Sequence, residues 1–290
     1  MIKNIFPSIS TSTCYTKNGT PYLQQSGVSV IATTNTNIDN AREFLDGFSK
    51  DLEFQNYLND ASITESPAGL TKFAGQLCYM SFGPKRTTNS NTQKYINHII
   101  ESGHGSVLEH ASISFLLWGV SRSCIFELVR HRVGTAFSQV SQRYVGGKTL
   151  RFVERPEYQN DTLLHSNFET RIDVIALQYH ELTEKLISLQ QDGSLDLSAE
   201  AKTDLRKKVQ QVARSILPNE TEAPLVFTVN IRALRHIIEM RNSPHAETEI
   251  SRLFHKIFLC AKQVSPYIFN DYSIKQINND NYVITDYRKV

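Results

Sequence analysis

The sequence has no long apolar run; no stretch approaches the roughly 20 apolar residues that a bilayer-spanning helix needs. Its opening residues, MIKNIFPSIS, lack a basic segment followed by an apolar core of signal-peptide length. A cytoplasmic protein without membrane association is the expectation. The four cysteines, Cys14, Cys78, Cys124 and Cys260, are scattered, with no CxxC pair and no His/Cys ladder. Neither a structural zinc nor a disulfide framework is therefore expected. A dominant charge is lacking too. Lys and Arg number 31 against 29 Asp and Glu, for a formal net charge of +2. That balance argues against wholesale nucleic-acid binding and leaves any anionic partner to a local basic cluster. Internal repeats and long low-complexity linkers are also missing.

What remains is a chain of 290 residues, long enough to bury a full core in one large domain or two small ones, with one domain as the default. Residues 1–27, rich in Ser, Thr, Asn and Gly, read as a loosely attached, irregular arm, and residues 28–290 as the single domain. Val28 to Ala32 has strand character, and Asn37 offers a cap for a helix carrying Ala41, Phe44, Leu45 and Phe48. A helix is predicted over Phe73 to Phe82, broken by Gly83-Pro84. Residues Thr87 to Thr92 form a polar loop before a helix that ends near Gly103. His110 to Trp118 alternates like a strand, and Ser121 can cap a helix through Phe126, Leu128 and Val129. After the Gly146-Gly147 connection, the spacing of Ile172, Ile175, Ala176, Tyr179, Leu182 and Leu186 predicts a long amphipathic helix ending at Gly193. Further helices are expected over Ser198 to Leu217, Arg232 to Met240 and around Ile250 to Ile257, with a strand at Leu225 to Val229. The sum is a helix-rich α+β domain with a small sheet.

Three clusters carry chemistry. His104-Gly105-Ser106-Val107-Leu108-Glu109-His110 sets two histidines, a hydroxyl and a carboxylate within seven positions. It lacks the HExxH order and any third ligand at a familiar distance, so no metal is expected. A turn whose polar groups satisfy the backbone and a functional site both remain open. The second cluster, Glu127 to Tyr144, holds Arg130, His131, Arg132 and Arg143 among Gln139, Ser141 and Gln142. Guanidinium forks and a compact hydroxyl suit phosphate oxygens. A solvated basic helix face, with local pairs such as Glu127 with Arg130 or His131, is the bland alternative. Val133, Ala136, Phe137 and Val140 argue instead for a packed segment with charges near the interior. The third cluster joins Arg214 to Asn230, Arg232, His236 and Arg241. Arg232 and His236 lie one helical turn apart, and Asn230 sits where a cap would.

Taken together, GHGSVLEHASISFLLWGVSRS, ELVRHR, SQRYV, ARSILP and VNIRALRHIIEMR resemble the ordered motif series of the flavin-dependent thymidylate synthases, over roughly residues 100 to 245. The resemblance implies that family's fold and the reductive methylation of dUMP to dTMP. The carbon would come from methylenetetrahydrofolate and the electrons from NADPH through bound FAD. It also implies a homotetramer with sites assembled from several subunits. The family needs no cysteine nucleophile and holds FAD without the GxGxxG turn of Rossmann folds, and this chain has neither a Pro-Cys context nor that turn. By resemblance, His104, Ser106, Arg130, His131, Arg132, Asn230, Arg232 and His236 occupy flavin-binding places. Glu127, Arg130, Gln139, Ser141, Gln142, Arg143, Arg214 and Arg241 occupy nucleotide-binding places. Arg241 matches the arginine that favours an ionised N3 on the uracil, a catalytic role for a permanent cation.

The sequence departs from the family pattern in places. Eight residues separate Arg132 from Ser141, one more than the signature usually has. In a helix an extra residue would turn everything after it by about 100°. A local irregularity between Val133 and Ala136, centred on Gly134, is therefore predicted. Glu127 stands where glutamine is common, Gly105 where an acid is, and His236 where asparagine or glutamine is. Two rival readings are a relative acting on another uridine nucleotide such as UMP, and a non-enzymatic phosphate- or RNA-binding protein. The second lacks the aromatic stacking motifs of RNA readers.

Overall fold

Four strands come first, and three helices lead from them to the central strands of the chain. In the computed structural model, residues 6–59, 66–82, 91–191, 202–278, 280–288 and 290 are described. Short strands β1 (Ser8–Ile9), β2 (Cys14–Tyr15) and β3 (Pro21–Leu23) precede β4 (Gly27–Thr33). Helices α1 (Arg42–Asp46), α2 (Pro67–Cys78) and α3 (Thr92–Glu101) follow, then β5 (Ser112–Trp118), α4 (Arg122–Leu128), β6 (Thr135–Gln139) and β7 (Phe152–Val153). The second half holds α5 (Thr162–Gln191), α6 (Lys202–Ala213), β8 (Leu225–Asn230), α7 (Ile231–Arg241), α8 (Thr248–Val264) and a hairpin of β9 (Ser273–Ile277) and β10 (Asp280–Ile284). Gly83-Pro84, Thr87 to Ser90, Gly193 and Ser198 lie outside the described residues.

The main sheet has the order β1-β4-β5-β8-β6, antiparallel throughout. Its core follows from strict alternation. Ile113, Phe115 and Leu117 of β5 and Leu225, Phe227 and Val229 of β8 are buried on one face, as a period of two requires. Phe115 pairs with Phe227, which pairs with Phe137 on β6, and the last two rings stack 5.3 Å apart at 7°. Against this face pack Leu234, Ile237 and Ile238 of α7 and the predicted Ile250, Leu253, Phe254 and Ile257 of α8, all buried. The opposite face of α7 is left to present Arg232 and His236.

Residues 8–23 correct the expectation of an irregular arm. β1 forms the edge of the main sheet beside β4, and β2 and β3 join β7 in a second, three-stranded sheet. These strands are two or three residues long, too short for alternation to register in the sequence. Asn37, expected as a helix cap, makes no side-chain capping bond. The terminal hairpin was likewise unanticipated.

A buried ion pair ties that hairpin region to α7. Arg235, fully buried, donates from both terminal nitrogens to the Asp271 carboxylate at 2.8 Å and to the Ile268 carbonyl, and its guanidinium lies over the Tyr272 ring. Removing one partner of such a pair strands a charge in the core. Asp271→Ala is therefore expected to cost about 3–5 kcal/mol of stability, measured by denaturant unfolding; an unchanged midpoint would contradict the assignment.

Candidate functional site

The chain reverses sharply after α4, and this turn builds the site. Ser121 accepts from Cys124 N–H at 3.1 Å and starts the helix as predicted. The helix stops at Leu128, so Arg130, His131 and Arg132 lie on a turn. Gly134 then takes a left-handed φ of 70° before β6 begins. The extra residue of the signature is thus absorbed in a turn and a strand, and the irregularity falls at Gly134.

Asn230, the last residue of β8, holds this turn against α7. Its side chain accepts from Ala233 N–H at 2.8 Å, capping the helix, and its own N–H donates to the Gly134 carbonyl at 2.8 Å. A Cβ on Gly134 would lie 2.3 Å from Asn230 Nδ2, so only glycine permits both the φ and the close approach.

Between the turn and the outward face of α7 opens a groove of about 520 Å³. Arg130, His131, Arg132 and Val133 line one side, and Asn230, Arg232, Ala233 and His236 the other, with Glu109, Ile237 and Val290 completing it. Arg232 donates to Glu109 at 2.5 Å. Of the two readings left open for this cluster, a backbone-satisfying turn and a functional site, the carboxylate does not follow the first but crosses to α7. A Cβ on Gly105 would meet Arg232 Nε at 3.0 Å and the Val290 backbone at 3.1 Å, so the acid usual at this position would have to displace one of them by a few tenths of an ångström. Val290 carries no chemical signal that a motif search reads.

At the last turn of α7, Arg241 donates from Nε to His131 Nε2 at 2.8 Å, from Nη1 to Glu127 Oε2 at 2.5 Å, and from Nη2 to the Glu127 carbonyl at 3.2 Å. Glu127 therefore pairs with Arg241 across the fold rather than with Arg130 or His131 along the chain. Burial, then the charges of Arg241, His236 and Arg130, hold the His131 pKa down at about 4. The ring is neutral near pH 7, and because Nε2 accepts, its proton sits on Nδ1.

The remaining sequence-predicted residues lie elsewhere in the chain. His104, just before the 3-10 turn Gly105–Glu109, and Ser106 within it are exposed; the turn packs against α7 and reaches the groove through Glu109, while His104 and Ser106 are not among the groove's lining residues. Gln139 ends β6 at its far end, and Ser141, Gln142 and Arg143 follow it. Thr135 pairs with Val229 beside Asn230, whereas Gln139 pairs with Leu225, about 13 Å along the strand at roughly 3.3 Å per residue. There Ser141 Oγ accepts from Arg143 N–H, Arg143 stacks on Tyr144, and Gln142 Nε2 is buried without a partner among the described residues. Gln142 faces a second cavity of about 680 Å³ with Lys148, Arg151 and Tyr179. Arg214 is exposed just after α6 and close enough to Arg122 to lower the latter's pKa, after burial. The expectation that apolar residues pack this segment inward is corrected. Val133 is 88% exposed and Val140 43%, and of the four only Phe137 packs against the core: Val133 and Val140 flank β6, and within the strand Ala136 points to the face opposite Phe137.

Comparison with known proteins decides the family. The model of the family described as thymidylate synthase complementing protein matches residues 61–267. A protein of Mycobacterium sp. (strain JLS), named flavin-dependent thymidylate synthase, is 41% identical over 224 residues, covering 76% of this chain and 86% of the relative. The chain belongs to the flavin-dependent thymidylate synthase family. A family member from Mycobacterium tuberculosis (strain ATCC 25177 / H37Ra) is 41% identical over 219 residues, with 74% of this chain and 84% of the relative covered. The fold recurs at 18% identity in the crystal structure of a UMP/dUMP methylase PolB from Streptomyces cacaoi bound with 5-Br dUMP. The TM-score there is 0.52, over 84% of this chain and 93% of that one. Membership of this family implies a flavin cofactor, and the helix-rich α+β architecture agrees with the sequence reading. Among the described residues, no helix is long and apolar enough to cross a membrane and no group of His, Cys, Asp and Glu is placed to hold a metal ion.

Two outcomes follow from this geometry. Gly134→Ala should push Asn230 off the start of α7 and cost about 1–2 kcal/mol; a thermal melt matching the parent would contradict the contact. His131 is neutral when folded down to about pH 4, while an unfolded histidine binds its proton near 6.5. The unfolded state therefore holds more protons in that window, and stability falls as pH drops from 6.5 towards 4. His131→Gln, which still accepts from Arg241, should flatten that fall in denaturant titrations at several pH values, and an identical slope would refute it.

Proposed function

We propose that the protein reductively methylates C5 of dUMP to dTMP, with FAD bound, methylenetetrahydrofolate as carbon donor and NADPH as reductant. The observation that carries this reading is Arg241, fixed by Glu127 and His131 beside a groove ringed with guanidinium groups. The groove suits a flavin dinucleotide. Arg130, Arg132 and Arg232 offer charged forks to a pyrophosphate. Asn230 and the Nδ1–H of His131 offer neutral polar contacts, and Val133, Ala233 and Ile237 offer apolar surface for a ring. Its volume falls within the range of ligand sites. His104, Ser106 and His236 complete the cofactor set. The flavin, when bound, supplies the hydride chemistry.

The chain's own groups bind and orient. Arg241 directs donors at the pyrimidine, where a permanent cation favours charge on the ring as C5 becomes a nucleophile. Ser141, Arg143 and Arg214 take the phosphate, with Gln139, Gln142, Glu127 and Arg130 around the remaining nucleotide. The crowded Arg214 and Arg122 favour an anion between subunits or beside them. Since Ser141 to Arg143 lie at the other end of β6 from the groove, one subunit's groove is completed by another subunit's phosphate turn, in a homotetramer. The exposed Val133, Val140 and Tyr144 are the apolar surface such an assembly covers.

Purified protein incubated anaerobically with dUMP, methylenetetrahydrofolate, NADPH and FAD should form dTMP; no product would sink the reading. Replacing dUMP by UMP tests whether the ribose is discriminated. Arg241→Ala should lose about 10²–10³-fold in turnover while keeping flavin absorbance, and normal turnover would overturn its catalytic role.

A further inference from the structure

Val290 lines the groove although it lies past residue 267, where the match to the family model ends. Three polar contacts bring it there along α7, from the last turn of that helix towards its first. Asn242, buried directly after Arg241, accepts from Val283 N–H at 2.6 Å and donates to the Asn281 carbonyl at 3.1 Å, which fastens β10 to the end of the helix. Thr285 then donates to the Asp271 carboxylate at 2.5 Å, the same group that holds Arg235. Arg235 Nε in turn donates to the Val290 carbonyl at 3.3 Å. The valine so placed is 7% exposed and belongs to the main core.

The sequence leaves room for this segment at one position. A Cβ on Gly105 would lie 3.1 Å from the backbone carbon of Val290, 3.4 Å from its Cα and 3.0 Å from Arg232 Nε. Gly105 does not have a positive φ, so its backbone conformation does not itself call for glycine. What excludes a side chain is the approach of Val290 and Arg232. A residue with a Cβ would press on Val290, whose carbonyl is held by Arg235, or on Arg232, which is held by Glu109. Either shift changes the wall of the groove.

We propose that Val290 is a cofactor-binding residue of this chain, and that Gly105 is glycine because Val290 must pass it. With Ala233 and Ile237 of α7, Val290 forms the apolar wall on which a ring of the flavin dinucleotide rests. The proposal rests on the flavin occupying this groove, as argued above. Val290 acts on affinity and takes no part in the chemistry, since an aliphatic side chain offers a ring close contact and nothing else.

The test titrates flavin-free protein with FAD and reads the dissociation constant from flavin fluorescence. Every variant is measured below its melting temperature, so that a loss of stability does not enter the comparison. Val290→Gly, which keeps the backbone and removes the wall, should weaken FAD about fivefold, the equivalent of roughly one methylene of apolar contact. Val290→Ile, which keeps a branched apolar surface, should stay within about twofold of the parent. Gly105→Ala should weaken FAD on the order of tenfold, a usual coupling for residues in contact. In a chain from which Val290 is deleted, the same substitution should change affinity by about twofold or less, because the methyl group then has room. Parent affinity in Val290→Gly overturns the proposal, and so does a Gly105→Ala loss that is equal with and without Val290. Arg232→Ala tests the groove itself. If it leaves FAD affinity unchanged, the flavin lies elsewhere and the functional reading of the groove falls together with this inference. If Arg232→Ala weakens FAD while the Val290 variants match the parent, this inference alone falls.

Discussion

The contact between Asn230 and Gly134 fixes the site. One side chain caps α7 and one backbone N–H ties the β8–α7 junction to the turn before β6, and both require that Gly134 carry no Cβ. Everything on the outward face of α7 is thereby registered against the Arg130–Arg132 turn. Arg232 and His236 stand one turn apart on that face, and Arg241 ends the helix where it reaches Glu127 and His131. The buried face is anchored separately, by the sheet and by Arg235 with Asp271. A helix so held has little freedom to rotate, and Arg232 and Arg241 are further fixed by their bonds to Glu109, Glu127 and His131.

Holding that many cations together is costly, and the chain meets the cost unevenly. Arg232 is paired with Glu109 and Arg241 with Glu127, while Arg130 and Arg132 line the groove in the exposed turn. His131 responds by staying neutral. Such a surface is prepared for an anion but not neutralised in advance, as the proposed binding of phosphorylated ligands requires. The fixed tautomer of His131 is a consequence of the same arrangement. An imidazolium here would face Arg241 with two donors and no acceptor between them.

Much of this was legible in the sequence. The periods of β5, β8, α7 and α8 follow from their apolar residues, and Ser121 and Asn230 cap the helices where a side chain of that type precedes a helical pattern. The clusters were legible because arginine and histidine at helical or turn spacing have few structural uses together. What was hidden depended on distant partners. Glu127 reads locally as a partner for Arg130, but its partner is 114 positions away. Val290 reaches the groove through packing, with no motif to announce it. The strands within residues 8–23 are too short to carry a period, and only their pairing with β4 and β7 defines them.

The apolar residues of the signature segment were misjudged for an instructive reason. Val133, Ala136 and Val140 sit between charged or polar groups, a pattern that argues for burial, and in the single chain they are exposed. Binary pattern reports that a surface wants to be covered without saying by what. An edge strand with apolar residues and unpaired backbone groups is a liability unless something lies against it. The proposed phosphate turn at one end of that strand and the groove at the other are separated by about 13 Å of strand. In the proposed homotetramer a second subunit against β6 covers that edge and brings its own Ser141 to Arg143 towards its neighbour's groove. The sequence signal for burial and the divided site are then two expressions of the same proposed assembly.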